Sequence, residues 1–283
     1  IVALAGYKRA IGNFVNIVTG ENIPVSFNNN DESFTDGKRV VIGSNLNEKN
    51  FDVAVGLALH EGSHIKLSDF NLLKQLEMEI PAELYVMGEN KNVSKSNVID
   101  LVKGILNYVE DRRIDTDTFK SSPGYKGYYH SMYNKYFYSK NVDKGLLSSE
   151  FRIEDIDSYM FRIINLHNKN TQLSSLPGLK EIYSIIGLGS ISRLKSSQDA
   201  FKVACDVYRV ILKNIDSIET EESGKSEEEQ TLENFKDALN GGDSDESDDN
   251  SDSDEFSSNE SGNGSSTDIN PSTNDDGSET TEL

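Results

Sequence analysis

The acidic residues of this chain are concentrated at one end, and that asymmetry sets how much of it can fold. Between Glu219 and Leu283 lie 22 acidic residues and two basic ones, a net charge of -20, which equals the formal charge of all 283 residues. The 48 acids and 28 bases of the whole chain therefore leave 26 of each in residues 1 to 218. The acidic stretch, typified by GGDSDESDDNSDSDEF, has almost no aliphatic side chains and is rich in Ser, Gly and Asn. It lacks the apolar surface that offsets the entropy lost on ordering, and is expected to be disordered. Two roles suit it: a self-repelling linker, or an acidic arm that engages a basic partner.

Residues 1 to 218 are thus the expected folded domain. They carry no basic stripe of the kind that grips nucleic acid. One cysteine, Cys205, rules out an internal disulfide framework and fits a reducing, cytoplasmic setting; its apolar helical surroundings predict a buried, inert thiol. No apolar run approaches the roughly 18 residues a membrane span needs, and no secretory signal is expected. The chain begins at Ile1, and is expected to be a piece of a longer protein in which the acidic stretch joins two domains.

Apolar periodicity predicts helices over residues 1–19, 52–67, 68–80, 96–115, 153–168, 177–187 and 197–216, with an aromatic segment YYHSMYNKYFYSK after a SSPGYKG break. The run KRVVIGS at 38–44 is short and β-branched, and reads as a strand. The expected class is α+β, mainly helical, with a small sheet.

The helix at 52–67 contains HEGSH, and two of the chain's four histidines are in it. With 100° of rotation per residue, His60 and His64 project from one face a turn apart, where both rings can reach a single cation. Glu61 is turned away from that pair, so it is free to take a proton from a water polarised by the cation and to deliver it to a leaving amine. The competing reading is a pair of hydrogen-bonded core histidines, which leaves two imidazoles and a carboxylate buried at a cost.

A catalytic zinc takes three protein ligands and keeps one position open. Glu110, in NYVEDRRID, is the leading candidate for the third: its helical neighbours Leu106 and Ile114 make that side apolar, so an unpaired carboxylate there is expensive. An ion pair with Arg113 at i+3 is the alternative, and His130 and His167 are rival ligands. Asp111 and Asp115 can accept the second N–H of a ligating histidine. Arg112 and Arg113 can steady those carboxylates or form solvated ion pairs. Zinc follows from ligand type, and another divalent ion suits the same donors.

With H-E-x-x-H at 60 to 64 and Asn107-x-x-Glu110 beyond it, the sequence resembles the zincin metallopeptidases, in particular their glutamate-ligand branch, the gluzincins. The strings GLALHEGSHI and NYVEDRRID are also similar to putative phage metallopeptidase domains, and to proteins like cobaltochelatase subunits in which a von Willebrand A-like domain follows an acidic linker. The resemblance covers about residues 38 to 138. It implies a zincin-like domain holding Zn2+ through His60, His64 and Glu110, with Glu61 as general base. It also implies an edge-strand role for KRVVIGS in pairing with substrate, although by itself that run reads as a core strand. It further implies a Tyr or His that supports the oxyanion, for which Tyr128 and Tyr129, just past Gly124 and Gly127, are the candidates and His130 an alternative. Aromatic packing is the other role open to these tyrosines.

Two departures stand out. Lys66 occupies a position usually apolar in zinc peptidases, and Ile114 stands where gluzincins place an Asp four residues after the ligand Glu. The expected function is a cytoplasmic zinc endopeptidase acting on protein or peptide (host cytoplasm if phage-encoded). The alternative is a non-catalytic zincin-like module whose acidic arm binds an ATPase or a von Willebrand A-like partner.

Overall fold

The computed structural model describes residues 2–28, 33–43 and 46–215. The acidic stretch from Glu219, and with it the expectation of disorder there, lies outside the described residues.

The first helix, α1 (Val2–Thr19), stops as expected where Gly20 takes a positive φ of 76°. A three-stranded sheet follows, made of β1 (Val25–Asn28), β2 (Phe34–Thr35) and β3 (Val40–Gly43), in the order β1-β3-β2. β3 runs parallel to β1, with Val25 opposite Val40, and antiparallel to β2, with Phe34 opposite Val41. All four β3 residues are buried, as an unbroken apolar run requires. The edge-strand role implied for KRVVIGS therefore does not hold, since β3 is hydrogen-bonded on both sides; the core-strand reading does.

The HEGSH helix, α2 (Phe51–Leu67), matches its expected limits to within a residue. Ala54, Val55, Ala58 and Leu59 are fully buried and share a core cluster with Ile11 and Val15 of α1 and Val40 and Ile42 of β3. Lys66, near the C-terminal end of the helix, is exposed, so its charge meets water.

The single helix expected at 68–80 is two, α3 (Phe70–Lys74) and α4 (Leu76–Glu79). Asp69 caps the first by accepting from the amides of Asn71 and Leu72, and Ile80 is extended ahead of Pro81. After α5 (Ala82–Glu89), Ser94 caps α6 (Lys95–Ser121), which runs six residues past its expected end because nothing interrupts it before Pro123. The tyrosine segment forms α7 (Lys126–Tyr136), which packs on α2 so closely that a Cβ on Gly56 would lie 2.6 Å from the Tyr128 carbonyl oxygen.

The rest comprises α8 (Lys140–Leu147), α9 (Ile156–Ile164), α10 (Leu179–Ile186), α11 (Leu188–Ile191) and α12 (Ser197–Asn214). Val98, Val102, Ile105 and Val109 of α6 build the second, larger core with α9, α10 and α12. Cys205 is buried in that core and its thiol is pushed up to about 11, chiefly by burial, in keeping with an inert role. Among the described residues no helix is long and apolar enough to cross a membrane. α2 thus belongs to one core and α6 to the other, and the polar residues of both meet at the seam.

Candidate metal centre

Along the seam the two helices run in opposite directions with matched four-residue steps. His64 faces Asp111, and one turn back on α2 His60 faces Asp115, one turn forward on α6. The histidine rings stand perpendicular, 4.9 Å apart. Nδ1 of His60 meets Asp115 Oδ1 at 2.9 Å, and Nδ1 of His64 meets Ser68 Oγ at 2.9 Å. Each ring is thus held by its Nδ1 edge, which leaves both Nε2 atoms to face a common point.

The third atom at that point is Asp111 Oδ1, 3.1 Å from His64 Nε2 and 3.7 Å from His60 Nε2. Ligands about 2.05 Å from a tetrahedral zinc lie about 3.3 Å from one another, a value that falls between the two distances. Despite these short approaches, Asp111 Oδ1 is buried and makes no hydrogen bond. Such an orphaned carboxylate oxygen calls for a partner. His60, His64 and Asp111 are the three-residue group among the described residues whose ligand atoms could hold a metal ion, all within 4.8 Å of each other.

Charge supports a dication. Glu61, Asp111 and Asp115 contribute -3 and Arg112 +1, while Glu110 and Arg113 cancel, so the site carries -2 with neutral imidazoles. Without a cation, a proton on His60 offsets part of that charge. Burial, the largest single influence on His60, works against its protonation, but the charge and hydrogen bond of Asp115, then Asp111 and Glu61, outweigh it and raise the ring to about 10. Burial works to raise Asp111, but the neighbouring His64 and His60 and the charge of Arg112 outweigh it and hold the carboxyl below its ordinary value. Glu61, only 9% exposed, is raised, mainly by burial.

The group takes in Asp111 and not Glu110. Both Glu110 oxygens are bound by Arg113, from Nε at 2.8 Å and Nη2 at 2.6 Å, and Ser197 Oγ donates to Oε1 at 2.6 Å. Arg113 Nη2 also donates to the carbonyl of Leu67 at 2.7 Å, and Ser197 accepts from the amide of Asp69 at 2.9 Å. The buried charge that argued for a ligand at Glu110 is satisfied by the i+3 ion pair instead, and the result is a clamp joining the end of α2 to α6 and α12. His130 is exposed on α7. His167 sits away from the group with Nδ1 on the Tyr108 hydroxyl at 3.0 Å, its pKa lowered to about 4 by burial and by Arg112.

Neither Tyr128 nor Tyr129 reaches the cavity beside the histidines. Tyr129 is fully buried, its hydroxyl 3.4 Å from Ser63 Oγ beneath α2, and Tyr128 packs against Phe14 with ring centroids 5.4 Å apart. The packing role holds for both. Tyr108, Tyr136 and Tyr133 line the cavity instead, and the hydroxyl of Tyr133 donates to Asp115 Oδ2. A sequence signal for Tyr133 existed: it lies one helical turn beyond Tyr129, in the same tyrosine-rich segment that supplied the oxyanion candidates. The cavity is about 380 Å³, with Glu61, Asp111, Arg112 and Tyr133 among its polar walls and Leu57, Leu72 and Phe137 among its apolar ones.

No protein-family model, no curated protein and no solved structure matches this chain.

Proposed function

We propose that the chain is a zinc-dependent peptidase in which His60, His64 and Asp111 hold the cation and Glu61 is the general base. The observation that carries this reading is the convergence of two Nε2 atoms on an orphaned Asp111 oxygen, with Glu61 in the wall of the same cavity. Zinc suits a donor set of two imidazoles and one carboxylate, and supplies Lewis acidity toward water and a carbonyl when bound. Glu61 takes a proton from water as the water oxygen adds to the carbonyl carbon of the substrate. It then passes that proton to the amide nitrogen as the C–N bond breaks. Asp115 holds the His60 ring through Nδ1, and Ser68 does the same for His64.

The resemblance to zincins gains a point from the shift to Asp111. Asp115 stands four residues after Asp111, so the spacing of a carboxylate ligand and a following Asp, absent when counted from Glu110, is restored.

The test is elemental analysis of the full chain together with cleavage of unfolded casein. The expected result is one zinc per chain, lost in His60→Ala and Asp111→Ala, and cleavage lost in Glu61→Gln while zinc stays bound. A folded protein without metal, or undiminished cleavage by Glu61→Gln, overturns the reading.

A further inference from the structure

Arg112 follows Asp111 on α6, is 8% exposed and lines the same cavity as the histidines. Its guanidinium carbon lies 4.5 Å from the ring centroids of both Tyr133 and Phe137, and 5.2 Å from that of Tyr108. Aromatic faces stabilise a cation but accept none of its five N–H donors in line. Its Nε is buried with no hydrogen-bond partner. The carboxylates whose charge acts on it are Asp115 and Asp111. Asp115 is already bound to His60 and Tyr133, and Asp111 faces the histidines.

A dication on Asp111 changes that balance, because it neutralises one of the two charges opposite Arg112. The guanidinium is then a buried cation on a cavity wall with donors to spare, which is the setting for a bidentate carboxylate. Two features argue for a chain end. The cavity volume of about 380 Å³ is near the lower limit for small-ligand sites, too small for a long segment of substrate. Its apolar walls, Leu57, Leu72, Leu106, Met132 and Ile164, suit one apolar side chain.

We propose that Arg112 receives the C-terminal carboxylate of a peptide, so that the site removes an apolar residue from a free C-terminus. The proposal rests on the peptidase reading above. The reaction is the same hydrolysis: water adds to the last peptide carbonyl, the C–N bond breaks, and the terminal residue leaves as a free amino acid with the proton delivered by Glu61.

The experiment uses the zinc-loaded full chain and three N-acylated dipeptides: one ending in Phe as the free acid, the same one as the amide, and one ending in Glu amide. Cleavage of the Phe acid over its amide by on the order of tenfold to a hundredfold is expected, the usual worth of a hydrogen-bonded charge. Arg112→Gln should abolish the preference with zinc retained, and Arg112→Lys should keep part of it. Equal cleavage of acid and amide overturns the proposal, and so does a Glu amide handled as well as the Phe acid, which assigns Arg112 to an acidic side chain. The comparison on the unaltered chain stands even if the Arg112 variants fail to fold. Calorimetry of N-acetylphenylalanine against its amide on zinc-loaded Glu61→Gln separates the two readings. A preference for the acid there, with no peptide cut by the unaltered chain, sinks the peptidase and leaves the carboxylate receptor; equal binding sinks the receptor alone.

Discussion

Asp115 accepts from Nδ1 of His60 at 2.9 Å across 55 residues of sequence, and its second oxygen accepts from Tyr133. This carboxylate fixes the ring of a proposed ligand and is itself fixed by α7. Replacing Asp115 with Asn removes the charge but little volume. Cation affinity is expected to fall roughly 10- to 100-fold, as when other such partners of ligating histidines are lost. Competition with a chromogenic chelator measures it. An unchanged affinity would leave Asp115 a packing residue.

Glu110 and Asp111 are adjacent but separate in role, and one pair of variants tells them apart. Glu110 and Arg113 are 6% and 7% exposed, so Glu110→Ala strands a buried guanidinium. The expected loss of stability is about 3–5 kcal/mol. Urea unfolding reads it, and elemental analysis of the folded fraction should still find zinc. Asp111→Ala should do the reverse, losing zinc with a smaller change in stability. Zinc lost only with Glu110→Ala would exchange the two roles.

This pair also marks how far the sequence could be read. α2 was legible because its apolar residues, its two histidines and its polar flanks repeat at helical spacing, and so were α1, α6 and α12. The choice between Glu110 and Asp111 was not, because the two project 100° apart on one helix and both are carboxylates. It is decided by groups far away in sequence: the Leu67 carbonyl, 46 residues before Arg113, and Ser197, 87 residues after Glu110. The place of β3 in the sheet was hidden for a similar reason. One neighbour, β2, has two residues, and the other, β1, includes Ser26 and Asn28, so neither announces itself as a strand. The short helices α5, α8 and α11 carry too few residues for a periodic pattern to emerge.

The contact of α2 with α7 places Tyr133 against Asp115, and it depends on Gly56 having no side chain. A Cβ there would meet the Tyr128 carbonyl oxygen at 2.6 Å and Met132 Cβ at 2.9 Å, and the first of these is backbone that yields only if α7 moves. Gly56→Ala should lower stability by about 1–3 kcal/mol, despite the better helix propensity of Ala. For a domain of this size, roughly 2–4 °C of melting temperature is lost per kcal/mol. A melting temperature that rises would mean that the helices can separate freely.

The metal-free protein should lose stability as pH rises, the opposite of a protein held by ordinary ion-paired carboxylates. His60 is raised from 6.5 to about 10 in the fold. A base raised in this way contributes its full stabilisation below about 6.5, and that contribution disappears as pH climbs toward 10, at no more than about 1.4 kcal/mol per pH unit for one proton. Glu61, raised mainly by burial, acts with the same sign from its ordinary value of 4.5 upward. Cation binding must displace the His60 proton, so affinity should increase with pH over the same range, with proton release on loading. Denaturant unfolding of chelator-treated protein between pH 6 and 10, with zinc titrations in buffers of different ionisation enthalpy, reads both effects. A stability profile flat from pH 7 to 9 and no proton release would mean that the carboxylates around His60 do not act on it as their positions require.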